Sequence, residues 1–357
     1  MCAPEKGHPS CGPLEVCETD SGFELYEYAR IDGVPRKLER LALAKENTLS
    51  FVNSVCKLRP GPEIAALGED RSFDELLRLR DVGRCGALLR ISRFPEVDDV
   101  QWEGFFCNRH LCCRACAIRR GSREMAKAIG RVGAAAGAGW SCPYMLTVTV
   151  QNGASLVERF EHLSSCFRRV LSARRKRGME EIRLLSGGMY SFEFGRGKDG
   201  LWHPHIHAFV VAPSELPLKE TQDVQGRIVW RWPGMEELWR RVTGDSFILE
   251  CHPVRGYMPG DSSTLVRPFC EVFKYALKVN DLGFVDRANA AVALRGRRLL
   301  GSFGVFYGLD GVDRQSVSDA RFVRRLGVKW DRLCYWYRGG EYLAMPGTHA
   351  TGVFIGA

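Results

Sequence analysis

The sequence predicts an α+β fold in which a central antiparallel sheet is flanked by helices. Three observations support this prediction. Apolar, β-branched stretches typical of strands recur along the chain, two of them are joined by a short glycine-rich turn, and strands and helices do not follow the strict alternation of parallel α/β proteins. The chain has 357 residues, 45% of them hydrophobic and 26% charged, which is the composition of a soluble globular protein.

The N-terminal half of the chain contains four predicted elements after a glycine- and proline-rich start. A helix is expected at residues 37–58, and a second helical composition follows at 119–138. The stretch MLTVTV at 145–150 predicts a strand that ends at a turn containing Asn152 and Gly153. Apolar residues at spacings of three and four then predict an amphipathic helix at 155–177.

The C-terminal half begins with the two strands that share a glycine-rich turn, at 188–194 and 205–211. Further patterns predict a short helix at 235–242, a strand at 247–252 and a helix that begins at proline at 268–279. They also predict a basic helix at 288–300 and a hairpin at 332–345 that turns at Gly339-Gly340.

We expect four regions along the chain. Residues 1–70 are a poorly ordered or helical N-terminal region, and residues 71–140 are a cysteine-rich zinc-binding module with a helix. Residues 141–283 are the domain that carries the main sheet, and residues 284–357 are a basic C-terminal region of helix and hairpin.

Charge and cysteine content restrict the environment and the partner. Lys and Arg total 51 against 42 Asp and Glu, an excess that suits a polyanionic partner such as DNA. The first twenty residues lack a signal-peptide pattern, and no apolar run approaches the roughly 18–20 residues of a membrane span. We therefore expect a cytoplasmic protein whose 14 cysteines are reduced, metal-bound or buried.

The segment WHPHIHAFVV is the most informative stretch. Side chains alternate along a strand, so His203, His205 and His207 are expected on one face. Adjacent imidazoles can converge on a divalent cation, and Glu193 would join them if its strand pairs as a hairpin with theirs. This mixed donor set suits Mn²⁺ or Mg²⁺ and phosphoryl chemistry. The histidines alone do not identify a reaction, because other metalloenzymes also use closely spaced histidines.

A second pattern lies about seventy residues later. On the predicted helix, Glu271, Tyr275 and Lys278 are separated by four and three residues and share a face. A tyrosine can attack a phosphate, an ammonium group can stabilise developing charge, and a carboxylate can activate water or a hydroxyl. Alone, the triple is more typical of a solvated helix face.

Cysteines cluster in the segment CNRHLCCRACAIRR. Cys107 and the CxxC pair Cys113/Cys116 offer three thiolates for a structural zinc ion. The fourth ligand stays open between three candidates: Cys85, Cys112 and His110. A reduced cluster without metal is the alternative.

Taken together and in order, MLTVTV with its turn, HPHIH and EVFKYALK resemble the rolling-circle replication initiators of small bacterial plasmids, within the HUH endonuclease superfamily. The cysteine segment resembles the one that precedes the first strand in these initiators, where a CG dipeptide favours Cys85 as the fourth zinc ligand. The resemblance covers about residues 85–281. It implies an HUH-type nuclease domain with a small zinc-binding module.

The resemblance also implies roles for individual residues. His205 and His207 match the metal-binding histidines. Tyr275 matches the nucleophile that becomes linked to the 5′ phosphate and leaves a free 3′ hydroxyl as primer. Glu271 matches the acidic residue of the single-tyrosine branch, and Lys278 matches the helper lysine. His203 precedes the histidine pair as in part of the family, and Glu193 is the expected third metal ligand.

The implied partner is the double-strand origin of a plasmid, supercoiled or single-stranded. Host helicase and polymerase are expected as well, because the sequence contains no GxxxxGK[ST] phosphate loop. Position 279 is valine, so a one-tyrosine mechanism fits better than one with two tyrosines. The alternatives are an HUH transposase, a relaxase, or a non-catalytic zinc-dependent DNA-binding regulator.

Overall fold

The structure is a computed structural model that describes residues 34–66, 68, 71–94, 99–137, 139–140, 142–173, 180–222, 226, 228–246, 248–254, 256–258, 262–273, 282–307 and 329–353. It has the predicted α+β character, with antiparallel sheets flanked by helices. Within these residues, none of the helices combines the length and apolar composition that crossing a membrane requires.

The helices of this described part are α1 (Val34–Val55), α2 (Pro62–Ala65), α3 (Phe73–Leu77), α4 (Leu79–Arg84), α5 (Arg114–Gly137), α6 (Leu156–Ser172), α7 (Glu180–Arg183), α8 (Pro233–Thr243), α9 (Val266–Phe273) and α10 (Phe284–Ala293). The strands are β1 (Leu88–Phe94), β2 (Asp99–Gly104), β3 (Cys142–Thr149), β4 (Gly187–Arg196), β5 (Trp202–Ala212), β6 (Lys219–Gln222), β7 (Ile228–Arg231), β8 (Leu249–Pro253), β9 (Leu300–Gly304), β10 (Lys329–Arg338), β11 (Glu341–Ala344) and β12 (Ala350–Val353).

The larger sheet has the strand order β8-β3-β5-β4-β9, and every pair in it is antiparallel. Its centre is β5, a strand of eleven residues that is buried along almost its whole length. A central strand with helices on both sides is expected to lack the polar–apolar alternation of a half-exposed strand. The two strands predicted at 188–194 and 205–211 pair as an antiparallel hairpin. They are β4 and β5, which are slightly longer than expected.

The two faces of β5 support two different cores. Ile206, Ala208 and Val210 face a core that contains α6, whose Phe160 ring lies 5.2 Å from the ring of Phe192 on β4. Phe209 and Val211 face the opposite core, with α5 and α9. His205 and His207 have the same strand parity as Phe209, so they lie on the α5/α9 side of the sheet.

The smaller sheet has the order β11-β10-β1-β2, with β12 also paired to β10. Its strands β1 and β2 belong to the cysteine-rich region, whereas β10, β11 and β12 come from the C-terminal end of the chain. The hairpin of β10 and β11 turns at Gly339-Gly340 as predicted, with φ values of 62° and 93°. Both glycines adopt the left-handed conformation that two-residue hairpin loops require. A separate two-stranded ribbon is formed by β6 and β7.

One predicted element is wrong in part. The basic helix expected at 288–300 is instead α10, which ends at Ala293, followed by a turn and by β9 at the edge of the larger sheet. Gly296 has a φ of 76°, a conformation that interrupts a helix. Strands from the region after residue 284 pair within both sheets, because β9 pairs with β4 and β10 pairs with β1. The division of the chain into four regions stays a prediction.

Candidate metal centres

The β4–β5 hairpin brings a carboxylate and two imidazoles together on the α5/α9 side of the larger sheet. Glu193 lies directly opposite His205 in the antiparallel register, and His207 is two residues farther along the same strand. Side chains directly opposite each other share a face of the sheet, as do residues two apart on a strand. The pairing predicted from the sequence thus positions Glu193 beside both histidines.

The distances within this group are short. Nε2 of His205 lies 3.1 Å from Oε1 of Glu193, and Nε2 of His207 lies 3.3 Å from Oε2 of the same carboxylate. The two imidazole rings are 4.6 Å apart between centroids. All three residues are buried, with exposures of 1% for Glu193, 5% for His205 and 8% for His207. We call them the Glu193 triad.

The donor atoms of the Glu193 triad fit a divalent cation. They lie within 4.8 Å of one another. Ligand atoms about 2.1 Å from a cation and at right angles to each other are about 3.0 Å apart, close to the two carboxylate–imidazole distances. Burying a carboxylate is costly unless it is paired or coordinates a metal, so its position between two imidazole nitrogens is consistent with a cation site.

Thr147 on β3 contacts His207 from the strand on the other side of β5. It lies opposite His207 in the β3–β5 register, and its Oγ1 is 3.0 Å from Nδ1 of that histidine. When Nδ1 of His207 carries the proton, it donates a hydrogen bond to the Thr147 hydroxyl. The Nε2 atom is then unprotonated, and its lone pair is available to a cation beside Glu193. Such an outer hydrogen bond fixes the orientation and tautomer of a metal-binding imidazole. The sequence motif does not reveal Thr147, because it does not specify which strand lies beside β5.

His203 shares the face of the other two histidines but has different neighbours. Its ring is 5.3 Å from that of His205, and its Nδ1 lies 2.7 Å from Oδ1 of Asn152. The Asn152 amide in turn donates to Oδ2 of Asp199 at 2.8 Å. The three residues line a cavity of about 370 Å³ beside the triad, with Thr149, Asp245 and Ser246 among the other lining residues. His203 therefore lies outside the group that converges on one point.

The helix predicted to carry the nucleophile lies on the same side of the sheet as the triad. Phe269 of α9 packs against Phe209 of β5 with 4.8 Å between ring centroids, and Phe209 is two residues from His207. Glu271 lies on this helix. Tyr275 and Lys278 fall outside the described residues, as does the predicted end of the helix at 279.

Four cysteines form a second converging group, which we call the four-cysteine centre: Cys85, Cys107, Cys113 and Cys116. Cys85 follows α4, and Cys107 lies in the loop between β2 and α5. Cys113 directly precedes α5, while Cys116 lies in its first turn. The residues after Cys85 and Cys107 are Gly86 and Asn108, both with positive φ, so the backbone turns sharply after each of these ligands.

The sulfur positions suit a tetrahedral metal ion. The Sγ atoms of Cys85 and Cys116 are 3.5 Å apart, as are those of Cys85 and Cys113, and Cys107 lies 3.7 Å from Cys116. Four sulfurs about 2.3 Å from zinc are about 3.8 Å from one another, and thiolates select zinc over magnesium or calcium. Hydrogen bonds from the thiols of Cys107, Cys113 and Cys116 hold the pKa of Cys85 well below its usual range.

The other two candidates for the fourth zinc ligand lie outside the four-cysteine centre. Cys112 is buried, and burial raises the pKa of its thiol to about 11. His110 contacts the Arg120 guanidinium, and burial together with that charge lowers the pKa of His110 to about 4. Cys85, which the resemblance favoured, is the candidate that joins the other three cysteines.

Lys45 of α1 lies behind the four-cysteine centre, and sequence reasoning did not identify it. Its ammonium donates to the backbone oxygens of Gly83 and Cys85, and the residue is only 3% exposed. Burial lowers the pKa of Lys45, while the nearby cysteines act in the opposite direction. A buried cation near three of these cysteines partly offsets the negative charge that their thiolates would carry.

Comparison with known proteins identifies a family for the chain. No curated protein and no solved structure matches the chain. Residues 99–320, well over half of the chain, match the family described as Replication protein (Rep_1). The matched segment contains the Glu193 triad and three ligands of the four-cysteine centre. The chain belongs to this family of replication proteins, the rolling-circle plasmid Rep family.

Proposed function

We propose that this protein initiates rolling-circle replication of a plasmid by cutting one DNA strand at the origin. The reaction would be a transesterification by a tyrosine, in an HUH-type nuclease domain built on the larger sheet. Membership of the replication protein family supports the plasmid-replication role. The observation that carries the nicking chemistry is the Glu193 triad, because two imidazoles and a carboxylate converge on one face of a rigid central hairpin.

His205, His207 and Glu193 would hold a divalent cation, Mn²⁺ or Mg²⁺. Such a cation, when bound, polarises the scissile phosphate and stabilises its developing charge. The protein's own contribution is positioning: Thr147 orients His207, and the buried, hydrogen-bonded strands keep the donor atoms in place. His203 is held by Asn152 at the edge of the site, where it could contact DNA rather than the cation.

Tyr275 is the proposed nucleophile. Its phenolic oxygen gives up its proton and attacks phosphorus, the bond from phosphorus to the 3′ oxygen breaks, and the 3′ oxygen takes up a proton to leave as a hydroxyl. The products are a 5′-phosphotyrosine and a free 3′ hydroxyl that primes synthesis. Since a phosphodiester bond is exchanged for another, the reverse reaction can reseal the nick without ATP.

Two further residues would assist the reaction, one during cleavage and one when a round ends. Lys278 would stabilise negative charge near the phosphate, and Glu271 would activate a water or a hydroxyl when a round of replication ends. The support is the family resemblance together with the position of α9, which packs against the triad's side of the sheet. Host helicase and polymerase would supply the unwinding and synthesis.

The four-cysteine centre is proposed to bind structural zinc. Its four ligands come from the end of α4, the β2–α5 loop and the start of α5, so a bound ion would tie these segments together. Structural zinc sites with four thiolates are closed to further ligands, which suits stability rather than catalysis.

Nicking of origin DNA by purified variants tests the proposal. With Mn²⁺ present, His207→Ala should reduce the rate of strand cleavage at least a hundredfold, because the cation loses an imidazole ligand. His252→Ala is the matched control, because His252 lies on β8 and is not part of the triad. Equal cleavage by wild type and His207→Ala would overturn the metal assignment. If the wild-type protein binds origin DNA but does not cleave it, the non-catalytic regulator would be favoured.

A further inference from the structure

The smaller sheet has one covered face and an opposite face that is open around Trp336 but closed at its other end, where Ser92 and Phe94 are each 1% exposed. Alternation along β1 and β10 assigns Leu89, Ile91 and Tyr335 to the covered face, where the first two are at most 2% exposed. On the same face Lys37 of α1 lies over the ring of Trp102, 5.9 Å from its centroid. We call the opposite side the Trp336 face; strand parity assigns to it Leu88, Arg90, Ser92, Phe94, Asp99, Gln101, Glu103, Trp330, Arg332, Cys334, Trp336, Arg338, Glu341 and Leu343.

An apolar row crosses the Trp336 face. Leu88 and Leu343 lie directly opposite Trp336 on the two neighbouring strands. The three side chains are 50%, 38% and 41% exposed, so a tryptophan in the middle of a sheet is left open to solvent. Contiguous exposed apolar surface rimmed by polar residues is typical of an interaction site.

Arginine and tryptophan alternate along β10 on this face. Trp330, Arg332, Trp336 and Arg338 all have the same strand parity, with Cys334 between the two pairs. The Arg332 guanidinium lies 4.5 Å from the centroid of Trp330, and that of Arg338 lies 5.7 Å from the centroid of Trp336. Two cation–aromatic pairs therefore follow one another, with the tryptophans about 20 Å apart at about 3.3 Å per residue.

Basic and acidic residues share the face. Three arginines, Arg90, Arg332 and Arg338, lie on it with Glu103, Glu341 and, by its register position opposite Phe94, Asp99. Arg90 is engaged with Glu103 at 3.3 Å, and both side chains remain largely exposed. Arg332 is held by the Ser92 hydroxyl at 2.8 Å, which keeps its guanidinium in position over Trp330.

We propose that the Trp336 face binds single-stranded DNA. Bases stack on exposed aromatic rings, while neighbouring arginines contact the phosphates. A stacked strand advances about 3.4 Å per nucleotide, so the distance between the tryptophans corresponds to about six nucleotides. In a duplex the base faces are already stacked on one another, so Trp336 favours a strand whose bases are free. The surface is separate from the Glu193 triad and does not depend on cutting.

The test measures binding rather than cleavage. A fluorescently labelled 12-nucleotide oligo(dT), which carries no origin sequence, is titrated with the full chain, and anisotropy gives the Kd. Trp336→Ala should weaken binding about tenfold, while Trp336→Phe should retain most of the affinity. Arg338→Gln should weaken binding and reduce its salt dependence, since a phosphate contact is lost. Trp230→Ala, a half-buried tryptophan of the β6–β7 ribbon, is the matched control and should bind as wild type.

Two results would overturn the proposal. One is an unchanged Kd for oligo(dT) in both Trp336→Ala and Arg338→Gln, with folding confirmed by circular dichroism and zinc content. The other is an equal loss of affinity for a duplex of the same length, since that would assign the face to the double helix. Because the probe has no origin and no cut is scored, a failure of the nicking proposal would appear separately in the cleavage assay.

Discussion

Two threonines of β3 illustrate how single residues define the triad. Thr147 and Thr149 both point to the side of the sheet where His205 and His207 lie, opposite His207 and His205 respectively. The Thr147 hydroxyl contacts an imidazole nitrogen, whereas Oγ1 of Thr149 is buried without a hydrogen bond among the described residues. The two residues therefore allow the outer hydrogen bond to be tested by the same substitution at neighbouring sites.

Thr147→Val should weaken Mn²⁺ binding about tenfold or more, because His207 loses the group that fixes its tautomer and orientation. The Kd for Mn²⁺ is measured by electron paramagnetic resonance. Thr149→Val, which has the same change of shape, should bind Mn²⁺ as wild type. Equal effects of the two substitutions would mean that the Thr147 hydroxyl does not orient the site.

His110 provides a prediction about protonation. Burial, and then the charge of Arg120, lowers its pKa from 6.5 to about 4, so the imidazole is neutral in the folded protein at pH 6. The unfolded chain binds the proton near pH 6.5, so this residue's contribution to stability is complete above pH 6.5 and is lost as the pH falls to about 4. An NMR titration of the His110 ring should give a midpoint near 4; a midpoint near 6.5 would contradict its burial.

At the residue scale, the sequence predicts the proposed metal ligands better than it predicts the residue that orients one of them. The alternation in HPHIH places His205 and His207 together, and the short turn of the hairpin brings Glu193 to them, since both relations are local in sequence. Thr147 is sixty residues from His207. Its contact depends on the order of the strands, which no local pattern specifies.

At the scale of elements, the four-cysteine centre connects segments that contain little regular structure of their own. The loop from the end of β2 to the start of α5 has nine residues, and two of the four ligands lie in it. Neighbouring Cys112 and Cys113 differ in role: Cys113 belongs to the four-cysteine centre, and Cys112 is packed in the core.

Cys113→Ala should abolish zinc binding, measured as metal content by mass spectrometry, and should lower the thermal midpoint by several degrees. Cys112→Ala should retain zinc and should lose only the packing of a small buried side chain. Retention of a full equivalent of zinc in Cys113→Ala would assign the fourth ligand differently.

Element boundaries were harder to predict where the signals conflict. The segment AVALRGRRLL was expected to continue a basic helix to residue 300, because its arginines and leucines favour helix. Gly296 adopts a left-handed conformation instead, and Leu300 begins β9. The pairing of β9 with β4 supplies the backbone hydrogen bonds that the helix would have provided. Tertiary pairing therefore overrides local propensity at this position.

At the scale of the whole molecule, C-terminal strands pair with strands that lie close to the four-cysteine centre in sequence. The strand β10 is hydrogen-bonded to β1, with residues about 240 positions apart, and the Tyr342 hydroxyl donates to the Gly86 oxygen next to Cys85 at 2.6 Å. Pairing over such a separation leaves no local trace in the sequence, since strand partners depend on the folded chain. The hairpin itself was predictable from its two glycines, but not its partner.

Truncation of the chain after residue 328 should therefore destabilise β1, which is remote in sequence from the removed residues. Without β10, the strand β1 becomes an edge, and its amides that bonded to β10 should exchange with solvent at least tenfold faster. Hydrogen exchange measured by mass spectrometry over residues 88–94 tests this. A chain that ends at residue 353 keeps all the described strands and should protect β1 as wild type does. Unchanged protection in the shorter chain would contradict the shared sheet.

The residue that becomes linked to DNA identifies the nucleophile directly. Wild-type protein is incubated with origin-bearing single-stranded DNA and Mn²⁺, the adduct is isolated under denaturing conditions, and its peptides are sequenced by mass spectrometry. We expect a 5′-phosphate on Tyr275 and no adduct in Tyr275→Phe, whereas Tyr307→Phe, which alters an exposed tyrosine after β9, should form the adduct normally. A phosphate linked to any other residue, or an adduct that persists in Tyr275→Phe, would contradict the proposed mechanism.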